Sequence, residues 1–484
     1  MIDTQSIRTK ILDLAMRGQL TEQLPEDGTA EELYQQIQEE KQALIKAGKI
    51  KKEKPLPEIA EGEKPFEIPA SWKWVRLGNI TEIAGGTTPS SDDVISSGSI
   101  PYFKVSDMNA PGNEKYMYHA VSFVKESYSG KIFPAGSIIY PKNGGAALTN
   151  KRRILVNDSA VDLNTGCCIP FFQNMSEWLK LFFETIDFGK MNTGSNIPTV
   201  NSSSLKKYLV PLAPLLEQQR IVDRVQQAFS ALDTIDELQT QYADNLTVLK
   251  SKLIDAAIQG KLTAQLPEDG TAEELYQQIQ EEKQALIRAG KIKKEKPLPE
   301  ITEGEMPFEI PKSWKWVTLT CITKKITDGT HHSPVNTASG DFMYVTAKNI
   351  KESGVILENI SYVTTSVHNE IFARCDPEKD DVLLIKDGAT TGVVTVNNIN
   401  EPFSMLSSVA LIKPMPQVDP WYIVYAMRSS WFYKYIRNEM TGVGITRVVL
   451  RQIETFSIPL PPLAEQKRIV ARLGELLPLC EKLK

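Results

Sequence analysis

The chain has 484 residues, 41% of them apolar and 24% charged, with a formal net charge of −5. That length suggests about three domains with ample chain to bury cores, and the mild acidity argues against a polyanion binder whose whole surface is basic. No apolar run is long enough to span a membrane. The polar stretch Met1–Lys10 lacks the core of a signal peptide. The five cysteines, Cys167, Cys168, Cys321, Cys375 and Cys480, form no CxxC pair, which excludes a disulfide scaffold and a cysteine-built zinc site and fits a reducing cytoplasm.

Reading in chain order, Thr4, Ile7, Ile11 and Leu14 make a short apolar seam at helical spacing. Thr29 followed by Glu32 is a capping box, and Gly48 suits the position just past a helix end. The stretch KIKKEKPLPEI that follows (49–59) reads as an extended basic tether stiffened by proline, although its charge could also meet phosphate. Trp72 and Trp74, two residues apart, predict one face of a strand and core anchoring. Residues 78–209 are rich in short β-branched runs and turn residues. Within them Lys142-Asn143-Gly144 predicts a hairpin tip, since Asn-Gly favours left-handed backbone, and Lys151-Arg152-Arg153 is a basic cluster.

From Glu217 to Ile258 no glycine or proline interrupts. Ile221, Val225, Ala228, Leu232, Ile235, Gln239, Tyr242, Leu246, Leu249, Leu253 and Ala256 alternate steps of 4 and 3, the seam of a coiled coil. Such a helix is about 63 Å long and needs a partner. Beyond it residues 265–301 repeat 23–59 with a single change, Arg288 for Lys46. Thr271, Glu274 and Gly290 repeat the caps, and Trp314 and Trp316 repeat the tryptophan pair. The filling that follows, 320–457, shares only anchors with 78–209: Lys386-Asp387-Gly388 for the hairpin tip, and Thr441-Gly442 and Ile445 for Thr193-Gly194 and Ile197. Asp419-Pro420-Trp421-Tyr422 reads as a helix start. Arg428, Lys434, Arg437, Arg447 and Arg451 are interleaved with Trp431, Tyr433 and Tyr435; the recurrence of Trp421, Tyr425, Trp431 and Tyr435 at helical spacing favours a helix whose aromatics are core. PLPPLAEQKRIV (459–470) answers PLAPLLEQQRIV (211–222), and Ile469, Leu473, Leu476, Cys480 and Leu483 continue its seam. The two chain ends are therefore expected to form a split second helix antiparallel to the first, kinked at Pro478; a truncated chain with frayed ends is the alternative.

The period is too long for a solenoid; it indicates two copies of a whole domain plus connector. The boundaries read as 1–21 (first part of the split helix), 22–64 (capped helix and linker), 65–214 (first filled domain), 215–263 (long helix), 264–306 (repeated helix and linker), 307–462 (second filled domain) and 463–484 (last part of the split helix). The fold class is α+β, with two strand-rich domains joined by long antiparallel coiled-coil helices in pseudo-two-fold arrangement. The acidity lies on helices and linkers, and the fillings are close to neutral. The near-identity of 23–59 and 265–301 exceeds what folding requires and points to recent duplication or recombination able to shuffle the fillings.

Searches for catalytic patterns return nothing: no GxxxxGK[ST], GxGxxG after a strand, HExxH or GxSxG occurs, and His331-His332 have no metal-ligand companions at suitable spacing. The duplicated P-L-x-P-L-x-E-Q-x-R-I-V motifs, the P-x-S-W-x-W-V-x-L segments (Pro69–Leu77, Pro311–Leu319) and Asp328-Gly329-Thr330-His331 together resemble the specificity subunit of Type I restriction-modification enzymes, over essentially the whole chain. The resemblance implies two target recognition domains, each reading half of a bipartite site on double-stranded DNA, and helices that set the unread spacer and dock two methyltransferase subunits. It implies no catalysis and no cofactor in this chain; S-adenosylmethionine, ATP and magnesium would sit on methyltransferase and restriction motor-nuclease partners in the cytoplasm. For base contacts the expected residues are Lys142, Asn143, Lys386 and Asp387; for phosphate they are Lys151, Arg152, Arg153, Arg447 and Arg451. His331 and His332 would either touch DNA or cap a loop. A coiled-coil scaffold without DNA recognition, and an enzyme with unrecognised chemistry in the fillings, are the alternative readings.

Overall fold

In a computed structural model of the chain, residues 1–191, 198–294, 301–302, 306–439 and 447–483 are described, with the side chains of 437–439 excepted. Thr193-Gly194, Ile197, Thr441-Gly442, Ile445, most of the second basic linker and the Arg437 side chain lie outside them. The chain divides into two compact units, Met1–Gln239 and Thr240–Lys484, and the boundary falls inside the long helix Leu215–Ile258. Among the described residues no helix is long and apolar enough to cross a membrane.

Each unit is built on the same plan, and the repeated residues explain why. Thr29 caps the helix Ala30–Lys46 by accepting from the Glu32 N–H, while Glu32 accepts from the Thr29 N–H. Thr271 and Glu274 do the same for Ala272–Arg288. Gly48 and Gly290 follow with φ of 70° and 67°, the left-handed backbone that ends a helix and that glycine adopts without strain. Ala30, Leu33 and Ile37 turn inward in one unit, and Ala272, Leu275 and Ile279 in the other.

The strand Lys73–Arg76 pairs antiparallel with Leu209–Leu212, and Lys315–Thr318 with Ser457–Leu460. The chain thus enters and leaves each filling on one two-stranded clasp. The E-Q-x-R-I motif fastens that clasp to the start of the following helix. Glu217, fully buried, accepts from the Trp72 indole N–H at 2.8 Å and from Gln23 at 2.8 Å. Glu465 accepts from Trp314 and Gln265 at the same distances. Gln218 donates to the Ala213 carbonyl and Gln466 to that of Pro461. Arg220 pairs with Asp27 and Arg468 with Asp269. Ile221 and Ile469 complete the motif as core residues. In each unit one continuous core joins the capped helix, the clasp tryptophan and the start of the clasp-fastened helix.

Helix pairing is antiparallel within each unit. In the first, Thr4 bonds Asp236 at 2.6 Å and Arg8 pairs with Asp233 at 2.8 Å, so Thr4–Met16 descends as Leu215–Ile258 ascends. In the second, Lys250 pairs with Glu481 at 2.9 Å and Thr263 bonds Glu465 at 3.1 Å, which sets Leu463–Lys482 antiparallel to the end of the long helix. The terminal helix continues through Pro478. The seam departs from its expected line. Ile221, Val225, Leu232 and Leu246 are buried, whereas Tyr242 and Leu249 are exposed, and farther on Ile254, Ala257 and Ile258 turn inward in place of Leu253 and Ala256. A strict repeat of 3.5 drifts around a straight helix by about 20° per heptad, and the buried stripe here follows the helix.

The fillings share a sheet. In the first its order is Thr81–Gly85, Thr165–Pro170, Ile138–Pro141, Arg153–Leu155, Tyr116–Met117; in the second, Thr323–Asp328, Val409–Pro414, Val382–Ile385, Val394–Val396. A smaller sheet accompanies each, containing a parallel pair: Tyr102 with Ala160 and Tyr344 with Ser404. The expected single helix over 421–437 is two, Pro420–Met427 and Ser430–Glu439. Asp419 caps the first by accepting from the Trp421 N–H at 2.9 Å, with Pro420 in its first turn. The aromatics are core: Trp431 stacks on Phe456 at 4.6 Å and packs against Trp316.

Candidate nucleic-acid interface

One frame recurs at the same edge of both main sheets. The strand Thr81–Gly85 runs into Gly86-Thr87, and Thr323–Asp328 into Gly329-Thr330. A Cβ on Gly86 would stand 2.2 Å from the Asp162 carbonyl oxygen, and one on Gly329 1.9 Å from that of Met405. Only glycine lets these loops cross so close. Thr87 N–H then donates to the Val161 carbonyl (3.0 Å) and Thr330 N–H to that of Met405 (2.9 Å). A second loop lies beside the first: Lys142 N–H donates to the Asn164 carbonyl, and Lys386 N–H to that of Ser408. Asn143 bridges Thr199, and Asp387 bridges Arg447.

Lys142-Asn143 and Lys386-Asp387 are therefore not the tips of two-residue hairpins. Gly144 (φ 75°) and Gly388 (φ 95°) take left-handed backbone, but Asn143 and Asp387 do not, so the turn that needs two such residues never forms. The segments open longer connections, to Arg153–Leu155 and Val394–Val396. In the first unit Asn143, Gly144, Gly145, Ala146, Asn164 and Thr199 line an open cleft of about 610 Å³.

The side chains on this shared frame differ. Asn143 donates to Asn164 at 3.4 Å, and Asn164 and Thr165 both bond Asp162. In the second unit a buried carboxylate, Asp328, accepts from Arg374 at 2.5 Å and lies 3.5 Å from Lys386 and 3.3 Å from His331. Lys386 is buried and also reaches Asp387 at 3.1 Å. A carboxylate out of water needs such donors. His331 and His332 are exposed, and Thr330 caps their turn by accepting from the His332 N–H. Arg447 is exposed beside Asp387; Arg451 is exposed on the short helix Leu450–Glu454.

The basic cluster separates. Arg152 is buried, with its guanidinium over Phe188 at 3.8 Å and donating to the carbonyls of Phe183, Thr149 and Lys151. Burial pulls its pKa down to about 10. The expected phosphate contact is corrected for this residue: its donors are taken by backbone. Lys151 and Arg153 are half-buried, but Arg153 also donates to backbone, to the carbonyls of Arg152 at 3.1 Å and Met108 at 3.2 Å, so the phosphate expectation is corrected for it as well and stays with Lys151. The residues that sequence reasoning missed are Arg374 and Asn164. Nothing in their local pattern marks them; only the strand order brings them to the frame. Among the described residues no three His, Cys, Asp or Glu side chains gather to hold a metal.

A constant clasp and frame around two unlike sets of polar side chains define a duplicated recognition module. The family described as "Type I restriction modification DNA specificity domain" matches residues 69–241 and again 311–483, and the chain belongs to that family. It is 29% identical to the EcoAI specificity subunit of Escherichia coli, across 99% of this chain and 90% of the relative. To the EcoEI specificity subunit of the same organism it is 28% identical over the same shares. The fold is similar to a chain from a solved structure concerned with complex assembly and conformational transition of the type I R-M system: TM-score 0.58, 18% identity, covering 87% of this chain and 93% of that one. The function is DNA sequence specificity.

Proposed function

We propose that each filled domain reads one half of a bipartite site on double-stranded DNA, through the loops that follow Gly86 and Lys142 in the first unit and Gly329 and Lys386 in the second. The observation that carries this reading is the shared frame with divergent side chains: Gly85, Thr88, Asn143 and Asn164 on one copy against Asp328, His331, Asp387 and Ser408 on the other. Lys151, Arg447 and Arg451 supply phosphate contacts, which position the protein without reading sequence. The long helix sets the unread spacer. The paired helices dock two methyltransferase subunits, with restriction motor-nuclease subunits joining them. The chain makes no bond itself; S-adenosylmethionine, ATP and magnesium belong to those partners, in the cytoplasm. Replacing residues 78–209 by another filling, co-expressing the chain with its methyltransferase and mapping methylated adenines tests the division of labour. One half of the methylated sequence should change; alteration of both halves would reject it.

A further inference from the structure

We propose that Arg374, held in place by Asp328, reads a guanine in the half-site of the second recognition domain. The inference rests on the function proposed above and names a residue for it.

Arg374 follows the helix Thr365–Phe372, and its backbone is fixed by hydrogen bonds from Arg374 N–H and Cys375 N–H to the Ile371 carbonyl. Cys375 is fully buried behind it. The guanidinium reaches forward to the frame, where Nη2 donates to Asp328 Oδ1 at 2.5 Å. Even so the Arg374 side chain keeps 52% of its surface exposed, while Asp328 keeps 2%. Nε and Nη1 hold no hydrogen bond among the described residues. His331, also exposed, places Nε2 3.3 Å from both Asp328 Oδ1 and Arg374 Nη2. A buried carboxylate thus steadies an exposed planar guanidinium through one Nη2 hydrogen, and the second Nη2 hydrogen, which faces only His331 Nε2, completes a parallel fork with Nε or Nη1.

The fold does not require this pair. Asp328 stands opposite Ala410, and its counterpart Gly85 stands opposite Gly166 in the same strand order. There the Lys142 amine fills the space, 2.5 Å from where a Cβ on Gly85 would be. The first unit builds the same sheet edge with glycine in place of Asp328; its nearby carboxylate, Asp162, bonds Asn164 and Thr165 instead of an arginine. Asp328 also lies 3.5 Å from buried Lys386; a buried pair is weak evidence of stability and a pair with exposed Arg374 adds little, so stability is a weak reason to bury Asp328. Recognition is a better one. Guanine alone presents two acceptors, O6 and N7, on its major-groove edge, and a guanidinium spans them with two parallel donors. Lysine, a point charge, does not reproduce that fit. Arg374 is a specificity residue and Asp328 its positioning residue.

The test uses the full chain co-expressed with its methyltransferase in a host without adenine methylation, and long-read mapping of the methylated motif. Exchange of residues 320–457 first identifies which half belongs to the second domain. With Arg374→Ala, one guanine position of that half should relax, discrimination there falling about 10- to 100-fold, while the other half stays intact. Arg374→Lys should not restore it, and Asp328→Asn should loosen the same position by less. Thermal melting of each complex controls for folding, and Arg374→Gln replaces the alanine variant if that variant melts early. An unchanged motif would overturn the proposal and leave a purely structural pair. Uniform loss of methylation at every sequence, with a shallower salt dependence, would overturn it in favour of a phosphate contact. A wild-type complex that methylates no bipartite motif would defeat the underlying functional reading as well, and is distinct from either result.

Discussion

Replacing Glu217 by alanine tests how the clasp is fastened to the long helix. The carboxylate is fully buried and receives three donors: the Trp72 indole at 2.8 Å, Gln23 at 2.8 Å and Thr21 at 3.2 Å. Their weights differ. Gln23 is exposed and Thr21 half-buried, so water replaces the acceptor for both. Trp72 is buried, and its N–H is left without a partner. A buried hydrogen bond to a charged group contributes about 1.5–3 kcal/mol, and the two wetter ones add a fraction each. The expected loss for Glu217→Ala is about 3 kcal/mol. Glu217→Gln, which keeps an acceptor for the indole, should lose about 1 kcal/mol. Trp72→Phe removes the donor in turn, and the double variant should lose less than the sum of the singles. Urea unfolding followed by tryptophan fluorescence measures all four. The same set at Glu465 and Trp314, bonded at 2.8 Å in the second unit, is an internal replicate. A loss below about 1 kcal/mol for both alanine variants, or additivity of Glu217 with Trp72, would refute the reasoning.

Three further outcomes follow from the same geometry. Hydrogen bonds from Arg220 and Arg468 hold the Asp27 and Asp269 carboxyls below their ordinary pKa of 3.8. A depressed carboxylate pKa contributes stability present above the unfolded value and lost as pH falls through the folded one. The acid limb of a stability–pH curve should therefore drop below about pH 4 and flatten in Arg220→Ala and Arg468→Ala. Gly86→Ala and Gly329→Ala force a methyl group against backbone carbonyls and should each destabilise by about 1–3 kcal/mol and impair methylation, read by melting and by motif mapping. Arg152→Ala should cost about 2–3 kcal/mol by orphaning buried carbonyls yet leave the salt dependence of DNA binding unchanged. Lys151→Ala should do the reverse, lowering the slope of log K against log salt by about 0.9.

Local chemistry was the most legible part of the sequence. Thr29 with Glu32 and Thr271 with Glu274 form the caps their spacing implies, because a cap involves only neighbours along the chain. The long helix and the tryptophan anchors are equally plain from their patterns. The clasp is not, since Lys73–Arg76 and Leu209–Leu212 are distant in sequence and only folding sets them side by side. The hairpin reading of Asn143-Gly144 failed because dipeptide preference cannot know that the chain continues into a short 3-10 turn, Gly145–Leu148. Lys151-Arg152-Arg153 looked like one patch. Tertiary packing divides it: Arg152 turns inward onto Phe188, Arg153 is held against the Met108 carbonyl, and Lys151 alone of the three keeps its charge free of a backbone partner among the described residues. Arg374 was invisible because its meaning comes from Asp328, a contact that depends on the strand order of the whole filling.

The two-stranded clasp has a consequence for how such a chain changes. Its two strands hold the ends of the filling on one hydrogen-bonded ladder, so the entropy of closing that loop is met by the same short pairing whatever the insert contains, and it rises only slowly with insert length. A filling behaves as a cassette in a socket. A graft that respects Lys73–Arg76 and Leu209–Leu212 leaves the clasp and its fastening unaltered; what it must also supply is an apolar face for the constant part, as Trp178 does by packing edge-on against Trp72 at 5.6 Å, and with that the protein can acquire a new DNA preference in one exchange.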